Sequence, residues 1–431
     1  MKRKGKVSRR EFVKAGLATV TAVTAASLPP VRADEPASRP EEQGHPQKGK
    51  KIELVPTRVL GRTGEKISML CFGAGQPQER MFNAMWEAGI RYADTADCYV
   101  EGRHERELGE WMKKTGRRKD MFIVTKDHPN TPDQFVEMVD ARLNNMQTDY
   151  IDLFFVHGLG EPDAGYKITL DEMIEVPKAK EWAAAAEKIR KSKKVKYLGF
   201  AMHGEVPARL KMLKNAVSGG WVDAIMLMYD APLVRENKDF NKALDACHQA
   251  GIGLISMKQM RRLHEAKGDA GKRTEVAAEL LPKFRQMGLT PYQAVLHSVW
   301  TDERIASICS AMANLDILKE NVAAARQFKP LKKEEMAAVL ELYRQQGTRL
   351  CTACDGSCRR AAGTEANLNK LVRYLSYFEM DGRRADARRY YAQLTPAERS
   401  WREADLAAAT RACRCHVDFA ALLPRVEEKL A

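Results

Sequence analysis

Short apolar runs alternate with amphipathic, helix-like segments from about residue 67 to residue 326. The segment Thr131–Met146 opens with Thr-Pro-Asp, a helix-start signal, and Trp182–Lys193 is rich in Ala, Glu, Lys and Arg. Strands that alternate with helices predict parallel pairing, and a count of eight favours a closed (β/α)8 TIM barrel over an open sheet. The predicted strands are Ile67–Gly75, Tyr92–Ala96, Phe122–Lys126, Ile151–His157, Tyr197–Ala201, Asp223–Tyr229, Gly253–Met257 and Ile305–Ala311.

The sequence predicts four parts of the chain. Residues 1–33 are interpreted as a signal peptide and residues 34–50, which hold Pro, Gly and charges without apolar periodicity, as a disordered linker. The barrel is predicted over 51–326, with a short hairpin at 52–66 that closes its bottom. A small α-helical, cysteine-rich domain is predicted over 327–431.

The N-terminus has the pattern of a twin-arginine export signal. Arg9 and Arg10 precede an apolar residue and a lysine, a modestly apolar run follows over 15–28, and small residues allow cleavage after Ala33. The run is shorter than the about 20 residues that a membrane span needs, so no stable membrane span is expected. A basic amphipathic helix is the alternative interpretation. The export interpretation makes the twin-arginine machinery a partner and predicts a periplasmic protein.

Charge gives little reason to expect nucleic-acid binding. The formal net charge is +14, but +7 of it lies in residues 1–33, and the rest is spread along the chain. No basic patch or nucleic-acid motif accompanies it, so we interpret the remaining charge as solvated surface and predict no nucleic-acid partner.

Four titratable residues fall at the ends of neighbouring predicted strands, where the active sites of such barrels lie. Asp94 falls in the last part of the second strand, Tyr99 follows in the loop, Lys126 ends the third and His157 ends the fourth. Hydride transfer to a carbonyl leaves charge on oxygen, and Tyr99 could supply the proton. Lys126 would lower the pKa of the phenol, Asp94 would hold Lys126, and His157 would orient the carbonyl. Each of these residues is common at such a position by itself, but the order and spacing of all four together are those expected of this site.

These motifs resemble the aldo-keto reductase family over roughly residues 52–326. Residues 60–64 (LGRTG) are similar to its opening hairpin and residues 92–99 (YADTADCY) to its Asp-Thr-Ala…Tyr motif. Residues 123–126 (IVTK) and 149–157 (DYIDLFFVH) resemble its lysine and histidine strands. The resemblance implies a nicotinamide cofactor across the barrel mouth and the four roles given above.

The cofactor side departs from the family pattern. Residues 199–203 (GFAMH) lack the usual hydroxyl and amide, and the phosphate turn has Ala311 in place of glycine. No Arg or Lys stands near Ala313 to bind a 2′-phosphate, so NAD is favoured over NADP. The residues that the resemblance assigns to cofactor binding are Met226, Ser310, Met312, Asn314, Glu320 and Asn321.

The C-terminal region contains five cysteines in two groups. Cys351, Cys354 and Cys358 are closely spaced, and Cys413 and Cys415 follow about 55 residues later, next to His416. Thiolates at this spacing predict one [4Fe–4S] cluster, with Cys413 or Cys415 as the fourth ligand. Periplasmic disulfides with one odd thiol, or a zinc site of three Cys plus Cys or His, are the alternatives.

This region resembles the ferredoxin-like tail of one aldo-keto reductase branch, on residues 373–378 (RYLSYF) and 390–394 (YYAQL). Branch members often have four cysteines per motif and a proline after the last. No proline follows Cys358, and the second motif keeps two cysteines, so two clusters are not expected.

The leading functional hypothesis is an exported oxidoreductase that acts on a small carbonyl or alcohol, with a nucleotide bound before export. The alternative is a periplasmic iron–sulfur redox or binding protein that keeps the barrel without cycling nicotinamide; a third is a purely structural module. A redox partner would accompany the cluster. Substrate specificity in this fold lies on rim loops, here 158–177 and 261–273, and neither sequence identifies a ligand.

Overall fold

A computed structural model describes residues 52–73, 77–161, 166–229, 231–260, 263, 276–346, 351, 355–379 and 384–431. The predicted export signal and linker, residue Cys354 and most of the predicted rim loop 261–273 lie outside the described residues. Lys51–Ala431 form one compact unit. None of the helices in the described ranges is long and apolar enough to cross a lipid bilayer.

Eight parallel strands close into a barrel, which confirms the predicted (β/α)8 fold. Each barrel strand pairs with its sequence neighbours, and the last, Ile305–Ser310, closes the ring against the first, Leu70–Phe72. The strands of the chain are β1 Thr57–Val59, β2 Lys66–Ser68, β3 Leu70–Phe72, β4 Tyr92–Asp94, β5 Phe122–Asp127, β6 Ile151–Leu159, β7 Val195–Met202, β8 Ala224–Met228, β9 Gly253–Met257 and β10 Ile305–Ser310.

The first predicted strand is in fact two strands. Lys66–Ser68 pair antiparallel with Thr57–Val59 in the hairpin, whereas Leu70–Phe72 pair with the barrel strands. The chain changes partners at Met69, whose N–H donates to the hairpin and whose carbonyl accepts from β10. The apolar pattern does not reveal such a change, because Ile67 and Ser68 before it and Leu70–Phe72 after it are all buried.

Helices follow the barrel strands and continue through the C-terminal region. They are α1 Glu79–Glu87, α2 Arg103–Thr115, α3 Pro132–Met146, α4 Leu170–Glu175, α5 Lys180–Lys191, α6 Val206–Gly219, α7 Ala231–Glu236, α8 Lys238–Gln249, α9 Leu281–Gln286, α10 Pro291–Trp300, α11 Leu315–Arg326, α12 Lys333–Gln346, α13 Ser357–Ala361, α14 Leu368–Glu379, α15 Arg384–Gln393, α16 Pro396–Arg399, α17 Leu406–Ala412 and α18 Phe419–Leu430. The predicted start at Thr131 is correct, since its side chain accepts from the N–H of Gln134.

The hairpin closes the lower end of the barrel with a tight approach of backbone to backbone. Leu60 is fully buried in the apolar cluster inside the barrel, and Gly61 has φ +49°. A Cβ on Gly61 would lie 2.3 Å from the carbonyl oxygen of Gly251. Glycine is therefore required here both for the left-handed backbone and for space.

We expect Gly61→Ala to destabilise the protein by about 2–4 kcal/mol, from backbone strain plus displacement of Gly251. Gly116→Ala is the matched control, because Gly116 also has a positive φ (+68°) but a Cβ there would meet nothing within 4 Å. Urea unfolding of both variants measures the difference. Equal losses would show that the close approach to Gly251 contributes nothing.

The apolar core has three parts. One fills the barrel, a second lies between the strands and the surrounding helices, and a third joins the helices of residues 358–430. Helix α12 belongs with the second, through Val339, Leu342 and Tyr343. The helices after α12 therefore have their own core, while α12 itself packs with the barrel.

Candidate active site

The four predicted catalytic residues lie at the carboxyl ends of three adjacent strands. Asp94 ends β4, Tyr99 lies in the loop after it, Lys126 is the penultimate residue of β5, and His157 lies near the end of β6. Strands β4, β5 and β6 are hydrogen-bonded neighbours, with Asp94 opposite Val124. Because all three strands are parallel, their ends meet at one rim.

The buried ammonium of Lys126 contacts both Asp94 and Tyr99. Both carboxylate oxygens of Asp94 lie 2.7 Å from its Nζ. The same Nζ lies 3.2 Å from the Tyr99 hydroxyl and donates to the carbonyl oxygen of Thr95 at 2.8 Å. The side chains of Asp94 and Lys126 are each 1% exposed. The ammonium is thus held between a carboxylate and a phenol, away from water.

This arrangement determines which groups carry charge. Burial disfavours the charge on Lys126, but the Asp94 carboxylate outweighs it and the pKa of Lys126 is raised. Burial raises the pKa of Tyr99, and Lys126 offsets only part of that effect. The predicted lowering of the phenol pKa by Lys126 is present, but desolvation is the larger contribution, so the net pKa lies above its ordinary value. The Tyr99 phenol is therefore protonated at neutral pH.

His157 lies beside the Tyr99 ring as a neutral imidazole. The two rings are 5.7 Å apart between centroids and nearly perpendicular. Burial lowers the pKa of His157 well below its ordinary value, despite a contact with Asp97. The phenol of Tyr166 donates to the backbone carbonyl of His157. A neutral imidazole at this place can hydrogen-bond a carbonyl oxygen without adding charge.

A second buried histidine supports the loop that carries Tyr99. His104 is fully buried in α2, its Nδ1 lies 3.0 Å from Thr95 Oγ1, and its ring meets the Tyr99 ring edge-on at 6.2 Å. Burial, with a smaller effect of Lys126, lowers the pKa of His104 to about 4. The imidazole is therefore neutral in the folded protein across the neutral range.

Acid is expected to destabilise the protein through His104. In the unfolded chain a histidine takes up a proton below about pH 6.5, whereas in the fold His104 resists it down to about pH 4, so stability is lost as the pH falls through this interval. At pH 5 this group alone should cost about 2 kcal/mol relative to pH 7. Urea unfolding at both pH values should show a smaller acid loss in His104→Asn than in the wild type. An unchanged loss would contradict the burial argument.

A network of charges links the mouth to the C-terminal helices. His203, after β7, places Nδ1 2.7 Å from Glu161 and Nε2 3.4 Å from the Nζ of Lys258. Glu161, after β6, also pairs with Arg373 of α14 at 2.8 Å and accepts from the Tyr377 hydroxyl. Burial would raise the pKa of Glu161, but Arg373 and His203 hold it well below its usual range. The tail thus contributes directly to the rim.

The residues assigned to cofactor binding fall into two environments. Asn314 caps α11 by accepting from Ile317 N–H, and Asn321 donates to Ser310 Oγ at 3.1 Å. Glu320 accepts from Thr290 at 2.6 Å. The remaining two, Met226 inside the barrel and Met312 in the outer core, are buried and apolar.

A nucleotide would therefore meet the end of β10 and the start of α11. Met312 is completely buried, so a contact from that residue would come from its backbone. Cofactor binding by these six residues stays a prediction.

The four described tail cysteines lie in one part of the C-terminal core. Cys358, Cys413 and Cys415 are buried, and Cys351 is partly buried. Cys413 lies beside Cys415, which together with burial raises the pKa of its thiol. Ser357 donates to the carbonyl of Ala412, which brings the two cysteine segments together. Cys354 lies outside the described residues.

A closed parallel barrel with a buried Asp–Lys–Tyr group and a histidine at its mouth defines a class of barrel oxidoreductases. The family model described as "Aldo/keto reductase family" matches residues 75–344. The protein belongs to the aldo-keto reductase family, and it is an oxidoreductase of that type.

Its similarity to individual proteins is modest in sequence. An uncharacterized oxidoreductase YqkF of Bacillus subtilis is 25% identical over 65% of this chain and 94% of its own. Aldo-keto reductase str7 of Strobilurus tenacellus is 25% identical over 61% and 80%. The crystal structure of an aldo-keto reductase from Klebsiella pneumoniae in complex with NADPH is 19% identical, with a TM-score of 0.52 over 68% of this chain and 96% of that one. This last likeness shows the shared fold.

Sequence reasoning missed several residues at the mouth. Asp97 and His128 lie against His157, and Glu161 joins the mouth to Arg373. A signal was present for His128, which stands two residues after Lys126 at the same strand end. For Glu161 and Arg373 there was none, because they are far apart in the chain.

Proposed function

We propose that the protein reduces a small carbonyl compound to an alcohol, with hydride from a nicotinamide dinucleotide and the proton from Tyr99. The observation that carries this proposal is the position of the Lys126 ammonium, buried between Asp94 and the Tyr99 hydroxyl. A protonated phenol next to a fixed positive charge is suited to an oxygen on which negative charge develops.

Each residue has a distinct part in this reaction. Tyr99 donates its proton to the carbonyl oxygen as hydride reaches the carbon, and Lys126 stabilises the phenolate that is left. Asp94 keeps Lys126 charged and in place. His157, which is neutral, orients the carbonyl by a hydrogen bond. Hydride is the chemistry that the nicotinamide supplies when it is bound.

The turn between β10 and α11 fits a dinucleotide. Strand β10 ends at the mouth, and α11 has 12 residues whose first-turn N–H groups lie at the same end, where a helix dipole favours phosphate. Relatives include an NADPH complex from Klebsiella pneumoniae and yakc [NADP(+)] of Schizosaccharomyces pombe. For this chain we infer a preference for NAD, because residues 311–314 (AMAN) hold no cation for a 2′-phosphate.

Tryptophan fluorescence titrations with NADH and NADPH, followed by turnover assays on a panel of aldehydes and ketones, test this function. We expect tighter binding of NADH and reduction of at least one carbonyl class. Binding without turnover of any member would overturn the proposed reaction and favour a protein that keeps the barrel without cycling nicotinamide.

The tail is proposed to hold one [4Fe–4S] cluster on Cys351, Cys354 and Cys358 with Cys413 or Cys415. The gathered, buried thiols of the described members support it, since a thiol-only donor set suits such a cluster. When bound, the cluster would transfer single electrons, and a redox partner would exchange those electrons with it. Anaerobic purification with iron and sulfide analysis and a visible spectrum tests this. Colourless protein, with zinc or with neither metal, would overturn it.

Export to the periplasm by the twin-arginine machinery is the last part of the proposal, with the nucleotide bound beforehand. Its support is the sequence around Arg9 and Arg10. Fractionation of cells that express the full chain should find the protein in the periplasm, and Arg9→Lys/Arg10→Lys should retain it in the cytoplasm. Heat-denatured periplasmic protein should release nicotinamide nucleotide; protein free of nucleotide would contradict loading before export.

A further inference from the structure

Four potential metal ligands converge at the barrel mouth. Asp97 and Cys98 lie in the loop after β4, His128 follows β5, and His157 lies in β6. One ligand atom from each lies within 4.8 Å of all the others. Carbonyl reduction as proposed above uses only His157 of this group, so the other three need a separate explanation.

The contacts within the group are long for hydrogen bonds; His128 Nδ1 and Asp97 Oδ2, for example, are 3.4 Å apart. Asp97 Oδ1 lies 3.3 Å from His128 Nδ1 and 3.8 Å from His157 Nδ1, and Cys98 Sγ lies 3.7 Å from His157 Nδ1. Hydrogen bonds of the N–H···O type run about 2.7–3.2 Å. Zinc bonds of about 2.0–2.3 Å place neighbouring ligand atoms of a tetrahedral site about 3.3–3.6 Å apart.

A second observation concerns the carboxylate of Asp97. Its Oδ1 is buried without a hydrogen-bond partner, although two imidazole nitrogens point toward it. A buried carboxylate oxygen without a donor costs free energy, which a cation at this place would remove. The His128 and His157 rings lie only 4.5 Å apart between centroids and tilted by 40°, so both can approach one point.

We propose that Asp97, Cys98, His128 and His157 bind a Zn²⁺ ion. Nitrogen and sulfur donors with one carboxylate select zinc over magnesium or calcium. Binding replaces the Cys98 S–H bond with a zinc–sulfur bond and releases the proton to solvent. One thiolate and one carboxylate then balance the charge of the ion, and the loaded site is neutral.

The site would also fix the tautomer of His157. An imidazole that binds metal through Nδ1 carries its remaining proton on Nε2. A carbonyl oxygen at the mouth needs a donor from this ring, so zinc and a substrate would use different nitrogens of His157. Zinc binding itself does not depend on the proposed reductase activity and is measured without it.

Zinc analysis of the full-length protein tests the site. Protein stripped by a chelator and equilibrated with a nanomolar free-zinc buffer should contain about one more zinc ion per chain than Cys98→Ser or His128→Gln treated in the same way. The tail cysteines are present in all of these proteins, so their contribution cancels in the difference. With Co²⁺ as probe, the wild type should show a thiolate-to-cobalt charge-transfer band that weakens in Cys98→Ser.

Matched controls are Cys247→Ser and His248→Gln, on helix α8 and outside the ligand group. Both should keep the wild-type zinc content. The side chain of His128 is 18% exposed, so His128→Gln should fold, which far-UV circular dichroism checks. Equal zinc content in the wild type and in the Cys98→Ser/His128→Gln double variant would overturn the proposal, as would a wild type that takes up no zinc.

Discussion

Replacing Tyr99 with phenylalanine is expected to lower kcat for carbonyl reduction by about two to four orders of magnitude, while leaving nucleotide affinity almost unchanged. The substitution removes only the hydroxyl that lies 3.2 Å from the Lys126 Nζ. Without it the alkoxide that forms after hydride transfer has no positioned proton donor. Steady-state oxidation of the reduced nucleotide with the best aldehyde of the panel gives kcat, and fluorescence titration gives the affinity.

Tyr197→Phe is the matched control for this experiment. The Tyr197 hydroxyl lies 3.2 Å from the Thr63 carbonyl, at the opposite end of the barrel from the mouth. Its loss should leave kcat at the wild-type value. Wild-type turnover by Tyr99→Phe would mean that another group donates the proton and would remove the central residue from the proposed reaction.

The second large effect is on stability. Asp94→Asn is expected to lower the free energy of unfolding by about 3–5 kcal/mol, because it leaves the buried Lys126 ammonium without its countercharge. Both residues are almost completely buried, so water cannot replace the lost partner. Urea unfolding of the purified variant measures the loss.

Asp140→Asn provides the matched surface control. Asp140 pairs with Lys194 at 2.6 Å, but both side chains are about half exposed. Loss of this pair should cost less than about 1 kcal/mol. The double variant Asp94→Asn/Lys126→Met should recover part of the stability lost in Asp94→Asn, since the unpaired buried charge is gone. A loss in Asp94→Asn as small as that in Asp140→Asn would contradict the buried-pair argument.

The barrel could be predicted because its information is local and repeated. Each strand is a short apolar run and each helix an amphipathic one, so alternation alone gives the element order. The split of the first predicted strand at Met69 could not be predicted, since its residues on both sides, Ile67 and Ser68 as well as Leu70–Phe72, are buried. Partner choice in a sheet depends on residues far away in the chain.

The meeting of the proposed catalytic residues at the barrel mouth could be predicted for a similar reason. Asp94, Lys126 and His157 each lie at or near the end of a strand of a parallel barrel, and that topology requires neighbouring strand ends to meet. The net pKa shift of Tyr99 could not be predicted, because a sequence shows that a lysine is near but not how far the phenol is removed from water.

The amino-acid sequence by itself determined the fold class, the family resemblance and the identity of the groups at the strand ends. Only the tertiary structure placed Arg373 of the tail on Glu161 of the rim and brought His128 and Asp97 against His157. The physical reason is that periodicity records which side of an element faces the core. Contacts between loops, and the loss of water around a charged group, depend on how distant segments pack together.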